Sequence, residues 1–168
     1  MSAAAASDLR DLYQDLILDH GRNPRNRRIL TEANRHAIGH NPICGDKITV
    51  FMKLSPDGHI ETVSFDGAGC AISVASASMM TDILKGKTAA EALKIFDYFH
   101  HLCTTDDIAP PEGLGEDDRD RLNALAGVRQ FPVRVKCATL AWHTMQAALC
   151  PASQGENKIT TENKDLKE

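Results

Sequence analysis

Three cysteines and one carboxylate hold the chemistry most open to this chain. Cys44 and Asp46 stand one residue apart in Cys44-Gly45-Asp46, Cys70 follows in Asp66-Gly67-Ala68-Gly69-Cys70-Ala71, and Cys137 sits in Arg134-Val135-Lys136-Cys137-Ala138. Three thiolates and a carboxylate supply the four donors of a tetrahedral zinc site, and thiolate-rich sets also suit iron–sulfur clusters. The long spacings match no C-x-x-C pairing, so only a fold can gather these groups. Taken singly, each cysteine has the alternative of an ordinary buried thiol.

Local sequence gives each segment a reason to present a reactive sulfur. Gly45 permits a tight turn that lets Cys44 and Asp46 point at one centre rather than to opposite faces of a strand. Gly67 and Gly69 let the chain leave a strand sharply. The small residues after Cys70 then read as a helix with the thiol at its N-terminus, where free N–H groups and the helix dipole favour thiolate. Cys137 stands early in another predicted helix beside Arg134 and Lys136, and the same lowering is expected there. Cys103 and Cys150 lack such flanks and read as ordinary thiols.

The elements that must position these residues are legible from periodicity. Leu9, Leu12, Tyr13, Leu16 and Ile17 form one helical stripe, with Ser7 as N-cap and Gly21 as the stop. Residues 22–42 lack a sustained period and read as a surface crossing with a short edge strand near Ala37 to Gly39. Ile48, Val50, Met52 and Leu54 alternate with polar or outward positions, Ser55-Pro56-Asp57-Gly58 is a turn, and residues 60–65 return as a strand. The ends of such an antiparallel hairpin are neighbours, so the segments of Cys44 and Cys70 should meet. A helix is expected from Cys70 to about Lys85. Another begins at the Thr88/Glu91 capping box and turns Leu93, Phe96 and Phe99 inward.

The acidic, proline-containing stretch from Thr104 to Asp120 reads as a solvated loop. A short helix at residues 121–126 is broken by Gly127, and a last helix spans about residues 133–149, with Leu140, Trp142, Met145 and Leu149 in the core. His100 and His101 suit the dipole of a last helical turn, and His143 is placed on a helix surface. The arginines at 22, 25, 27 and 28 read as a solvated segment, with a docking patch for an acidic partner as the functional alternative.

The fold class expected is α+β, a small antiparallel sheet (hairpin plus edge strand) packed against several helices. One domain is expected over residues 1–150, followed by a disordered tail over 151–168. The chain has 168 residues, is 42% apolar and carries a net charge of −4. That is enough for a conventional core and gives no basic footprint for nucleic acid. No apolar run of about 18 residues is present to span a membrane. Residues 1–7 lack the features of a secretory signal, and five scattered cysteines do not form a disulfide framework, so a cytoplasmic setting is expected.

The motifs Asn41-Pro42-Ile43-Cys44-Gly45-Asp46, Phe65 through Met80, and Arg134 through Trp142 together resemble the U-type iron–sulfur assembly proteins, from about Leu9 to Leu149. The resemblance implies a SufE/NifU-like fold. Lys136, where the similar IscU-type scaffolds carry histidine, and the long acidic interval before Cys137 bring the chain nearer the SufU-type zinc sulfurtransferases. What that resemblance implies is zinc held by Cys44, Asp46, Cys70 and Cys137, with Cys44 accepting persulfide sulfur from a SufS-type cysteine desulfurase that feeds downstream SUF components. Arg134 would be an auxiliary residue that neutralises Asp46 during ligand exchange. The alternative is a scaffold on which a [2Fe-2S] cluster, or iron, is bound and passed on. A purely structural zinc module and a thiol hydrolase using His143 as base are further readings from other classes.

Overall fold

The computed structural model describes residues 14–105 and 108–150, and the backbone of 158–160. Residues 14–22 are helical (α1). Strands β1 (Arg35–Asn41), β2 (Asp46–Leu54) and β3 (Ile60–Ala68) follow, then α2 (Ala71–Leu84), α3 (Ala89–Thr104), α4 (Glu116–Leu125), a 3-10 turn (Ala126–Gln130), α5 (Pro132–Leu149) and β4 (Lys158–Thr160). The sheet order is β3-β2-β1-β4. The first three strands are antiparallel, and β4 runs parallel to β1. This is the expected α+β class: three antiparallel strands, extended at one edge by parallel β4, with helices packed on them.

Alternation in β2 puts Ile48, Val50 and Met52 into the core with no exposed surface. In the β2–β3 hairpin Lys47 pairs with Ala68. The chain therefore enters at Asp46 and leaves at Cys70 on the same end of the sheet. Gly67 is needed at that end: its φ is +127°, and a Cβ there would collide with the Lys47 carbonyl.

Helix α5 lies over β1 and β2, and glycine sets how close it comes. A Cβ at Gly39 would run into the Thr144 hydroxyl and come within 3.1 Å of Leu140. Two residues further along the same strand face, Asn41 meets Cys137 on the same helix. Helix α2 joins α5 through serines. Ser76 donates to the Ala138 carbonyl at 2.5 Å and accepts from the Trp142 indole N–H at 3.1 Å. The same Trp142 packs against Phe99 of α3 with ring centroids 5.1 Å apart, and both are fully buried.

Several sequence expectations change in detail. Helix α1 continues through Gly21 to residue 22, because Gly21 lies against the backbone of Ala71 and makes a packing contact instead of a cap. The expected cap at Ser7 and the apolar Leu9, Leu12 and Tyr13 fall outside the described residues. Leu93 is only half-buried, and Ile95 and Leu102 join Phe96 and Phe99 inside. The acidic stretch is only partly loop: α4 starts at Glu116, with Glu116, Asp117 and Asp118 in its first turn, where carboxylates oppose the positive end of the helix dipole. Gly127 lies within a 3-10 turn that continues from α4. Within the segment expected to form a disordered tail, Lys158–Thr160 pairs with Ile38–His40; its remaining residues lie outside those described.

The arginine segment keeps Arg22, Arg27 and Arg28 exposed, as expected, while its backbone is tied to the sheet. The Arg28 N–H donates to the Phe65 carbonyl and the Phe65 N–H to that of Asn26, which laces the segment onto the outer edge of β3. Arg25 forms an ion pair with Asp19 at 2.6 Å, and Arg27 donates to the Gly67 carbonyl at 2.5 Å. No described helix is long and apolar enough to cross a membrane.

Candidate functional site

Cys44 sits in the turn between β1 and β2, and Asn41 builds that turn. Asn41 is fully buried. Its carbonyl accepts from Gly45 N–H at 2.8 Å and its side-chain oxygen from Ile43 N–H at 3.2 Å, while its amide nitrogen reaches the Cys137 sulfur at 3.9 Å. Gly45 takes φ +75°, the left-handed conformation that the tight turn was expected to need. The result is an exposed Cys44 beside a buried Asp46.

The other two cysteines arrive from helix starts. Cys70 is the N-cap residue of α2, and its N–H donates to Asp46 Oδ1 at 3.0 Å. Its Sγ lies 3.8 Å from Asp46 Oδ2. Cys137 is in the second turn of α5, which begins with Pro132 at a position where the missing N–H costs nothing. The Cys137 and Cys44 sulfurs are 3.5 Å apart. One donor atom each from Cys44, Asp46 and Cys137 fall within 4.8 Å of one another; Cys70 lies outside that set and adjoins it through Asp46.

The donor set suits a thiophilic ion. Sulfurs about 2.3 Å and an oxygen about 2.0 Å from a tetrahedral zinc are separated from one another by roughly 3.5 to 3.8 Å. The sulfur–sulfur distance of 3.5 Å between Cys44 and Cys137 and the sulfur–oxygen distance of 3.8 Å between Cys70 and Asp46 each lie within about 0.3 Å of the ideal for their pair, roughly 3.8 Å and 3.5 Å. Cys44, Asp46 and Cys137 can share an ion with the least movement, and Cys70 is the fourth donor alongside.

The sulfurs differ in acidity, and not in the way local sequence predicts. Cys70 is pushed down to about 5, first by the hydrogen bond from Cys137 and then by the Ser73 backbone N–H, against the opposing effect of burial. Its helix N-terminus position agrees with the expected direction, but the main cause is another thiol. Cys137 goes the opposite way from expectation. Its thiol is pushed well up, because it serves as hydrogen-bond donor to Cys70, is buried, and faces Cys44 and Asp46. Position within the first turns of a helix does not outweigh that company. Arg134 is raised, mainly by the charge of Cys70 and then by a hydrogen bond to Cys137. Its guanidinium thus sits in the field of the cysteine sulfurs.

Residues outside this cluster also find places. Cys103 is buried and pushed up to about 12 by desolvation, an ordinary core thiol as expected, and Cys150 is exposed. His143 is only 7% exposed, packed edge-to-face on Phe96 at 5.0 Å and 5.7 Å from the His100 ring, so it is not the surface residue expected. His101 contacts the Asp97 carbonyl at 2.8 Å within its own helix. Ser73 and Asn41 escape notice in sequence: they lie on core faces, and only the folded positions of Asp46 and Cys137 reveal their use. Around Cys44 the chain exposes apolar surface. Ile43, Phe131 and Val133 are 57%, 61% and 48% exposed, and with Cys44 and Arg134 they line a shallow depression of about 540 Å³.

Comparison with known proteins shows the family. The family model of the NifU-like N-terminal domain matches residues 12–138. The zinc-dependent sulfurtransferase SufU of Bacillus subtilis is 38% identical over 149 residues, covering 89% of this chain and 97% of that protein. The iron–sulfur cluster assembly scaffold protein IscU of Streptococcus pyogenes is 36% identical over 159 residues, covering 95% of each. A crystal structure of a putative iron–sulfur cluster assembly scaffold protein for the SUF system from Fervidobacterium islandicum superimposes with a TM-score of 0.71 at 29% identity, over 80% of this chain and 94% of that one. The chain belongs to the NifU-like N-terminal domain family, alongside the SufU-type and IscU-type proteins of iron–sulfur cluster assembly.

Proposed function

We propose that this protein is a zinc-dependent sulfurtransferase of iron–sulfur cluster assembly, which accepts sulfur on Cys44 from the persulfide of a SufS-type cysteine desulfurase. One observation carries the reading: among the four candidate donors Cys44 is the most exposed, while Asp46 and Cys137 are buried and Cys70 is half-buried. A donor set built this way has three groups held inside and one at the surface. Similarity to the SufU of Bacillus subtilis supports the zinc-dependent form of the reaction.

Cys44, Asp46, Cys70 and Cys137 are the residues that would hold the zinc. Bound there, the ion keeps a coordinating thiol deprotonated. The partner docks on the apolar rim of Ile43, Phe131 and Val133, which brings its persulfide to Cys44. The Cys44 thiolate then attacks the terminal sulfur of that persulfide. A new S–S bond forms on Cys44, the donor's S–S bond breaks, and the donor cysteine leaves as thiolate with no net oxidation or reduction. Arg134, already facing the sulfurs, offsets their negative charge during the exchange. The sulfur then passes to downstream SUF components.

The second reading is a scaffold, favoured by the 36% identity to the IscU scaffold protein of Streptococcus pyogenes. Here a [2Fe-2S] cluster is cargo held by the same donors. Anaerobic incubation with iron and sulfide separates the two: a stable visible chromophore that transfers to an apo-ferredoxin supports the scaffold. Stimulation of the desulfurase by the zinc-loaded protein, abolished in Cys44→Ala, supports sulfur transfer. If the Cys44→Ala variant stimulates the desulfurase as well as the unmodified chain, the transfer scheme is wrong.

A further inference from the structure

The carboxylate of Asp46 is held on both of its oxygens. Cys70 N–H donates to Oδ1 at 3.0 Å, and the Ser73 hydroxyl donates to Oδ2 at 2.5 Å. A hydroxyl has a single proton to give, and besides Asp46 the Ser73 hydroxyl has the Cys137 carbonyl at 3.3 Å and the Cys70 sulfur at 3.7 Å in reach. The shortest, charge-assisted bond takes it. Ser76, one turn later on the same helix face, behaves differently and donates to the Ala138 carbonyl. Ser73 is 1% exposed, so no bulk water replaces its hydroxyl. Gly69 leaves room for the contact: a Cβ there would lie 2.9 Å from Ser73 Cβ and 3.2 Å from Asp46 Cγ.

We infer that Ser73 is a positioning residue for the metal centre, whose hydroxyl fixes the Asp46 carboxylate in its ligating orientation. This rests on the proposal that Asp46 and the three cysteines hold Zn2+. Each carboxylate oxygen has two lone pairs, so one hydrogen bond apiece leaves a lone pair on each for the ion. The two bonds from the start of α2 fix the carboxylate beside the sulfurs before any ion arrives, and the reorientation cost on binding falls accordingly. Outer partners of this kind change metal affinity by about 10- to 100-fold when removed.

The test is the Zn2+ affinity of the full chain, measured by competition with a chromophoric chelator for the unmodified protein, Ser73→Ala, Asp46→Ala and the double variant. Three thiolates remain in Asp46→Ala, so its affinity stays measurable. Ser73→Ala should lose about tenfold or more in the unmodified background and nothing further once Asp46 is gone. The ligand-field bands of the Co2+-loaded protein should shift between the unmodified chain and Ser73→Ala, yet coincide for Asp46→Ala and the double variant. A loss below about tenfold, or one of the same size without Asp46, overturns the role of Ser73. The second outcome marks a general packing defect. Failure of the unmodified chain to bind Zn2+ overturns the metal-site reading itself, so the two failures are distinct.

Discussion

A sulfur that must attack a partner's persulfide has to reach solvent, and one that merely anchors an ion does not. The four donors divide along that line, with Cys44 exposed and Cys137 fully buried. Reactivity toward alkylating reagents should divide the same way at the remaining cysteines. Cys103, pushed up to about 12 by burial, holds almost no thiolate at pH 8, so iodoacetamide should leave it unlabelled in the native protein and label it after unfolding, as read by peptide mass mapping. Labelling of Cys103 at the rate of Cys150 would contradict the packed core around it. At this scale glycine flanks and charge, together with motif resemblance, singled out four candidate donors, of which the structure brings Cys44, Asp46 and Cys137 together. Their acidities were not legible. A flanking lysine and arginine argue for a lowered Cys137, whereas a thiol from another helix start, distant in sequence, sets it higher.

Two elements deliver the site, the β2–β3 hairpin and the α2–α5 pair. The hairpin was readable because alternation and a turn signal are local, and they place the Cys44 and Cys70 segments side by side without any long-range information. The approach of α5 was not, since it depends on Gly39 facing Leu140 and Thr144 across a strand–helix contact. Gly67→Ala tests the hairpin end. It places a side chain at φ +127° and against the Lys47 carbonyl, a combination expected to cost on the order of 3 kcal/mol. It should lower the thermal midpoint and, by displacing Cys70, the Zn2+ affinity together.

The anchor of α1 makes a pH-dependent prediction. His20 is buried, its Nδ1 is 2.7 Å from Ser78 Oγ, and that oxygen also accepts the Arg25 N–H at 2.8 Å. Burial, then the Arg25 charge, lowers its pKa below the ordinary histidine value. The folded state therefore binds fewer protons than the unfolded chain as pH falls through about 6.5. Stability should drop over that window. In denaturant unfolding at pH 7 and pH 5, His20→Asn should show a smaller decrease than the unmodified protein. An equal decrease would remove His20 as the cause.

The molecule as a whole has a core that does not depend on the metal centre. Trp142, Phe65, Phe99, Ile48 and Met52 are buried within it, while Cys44, Asp46 and Cys137 cluster at one end of the sheet. Removal of metal by a chelator should thus lower the thermal midpoint by ligand linkage but leave the far-ultraviolet circular dichroism of a folded protein. Loss of that signal would favour a structural zinc module. Fold class and family were accessible from sequence because three separated motifs fall on elements with clear periodicity. The strand Lys158–Thr160 was not, since a polar and charged segment paired over only three residues carries no apolar pattern. The central claim is that Cys44 receives sulfur. Its most direct test is peptide mass spectrometry of the zinc-loaded protein after incubation with a cysteine desulfurase and L-cysteine, with alkylation to trap persulfides. The account predicts one added sulfur atom on the Cys44 peptide, and none anywhere in the Cys44→Ala variant. Added sulfur on Cys70 or Cys137 with Cys44 unmodified, or equal labelling of the variant, would contradict it.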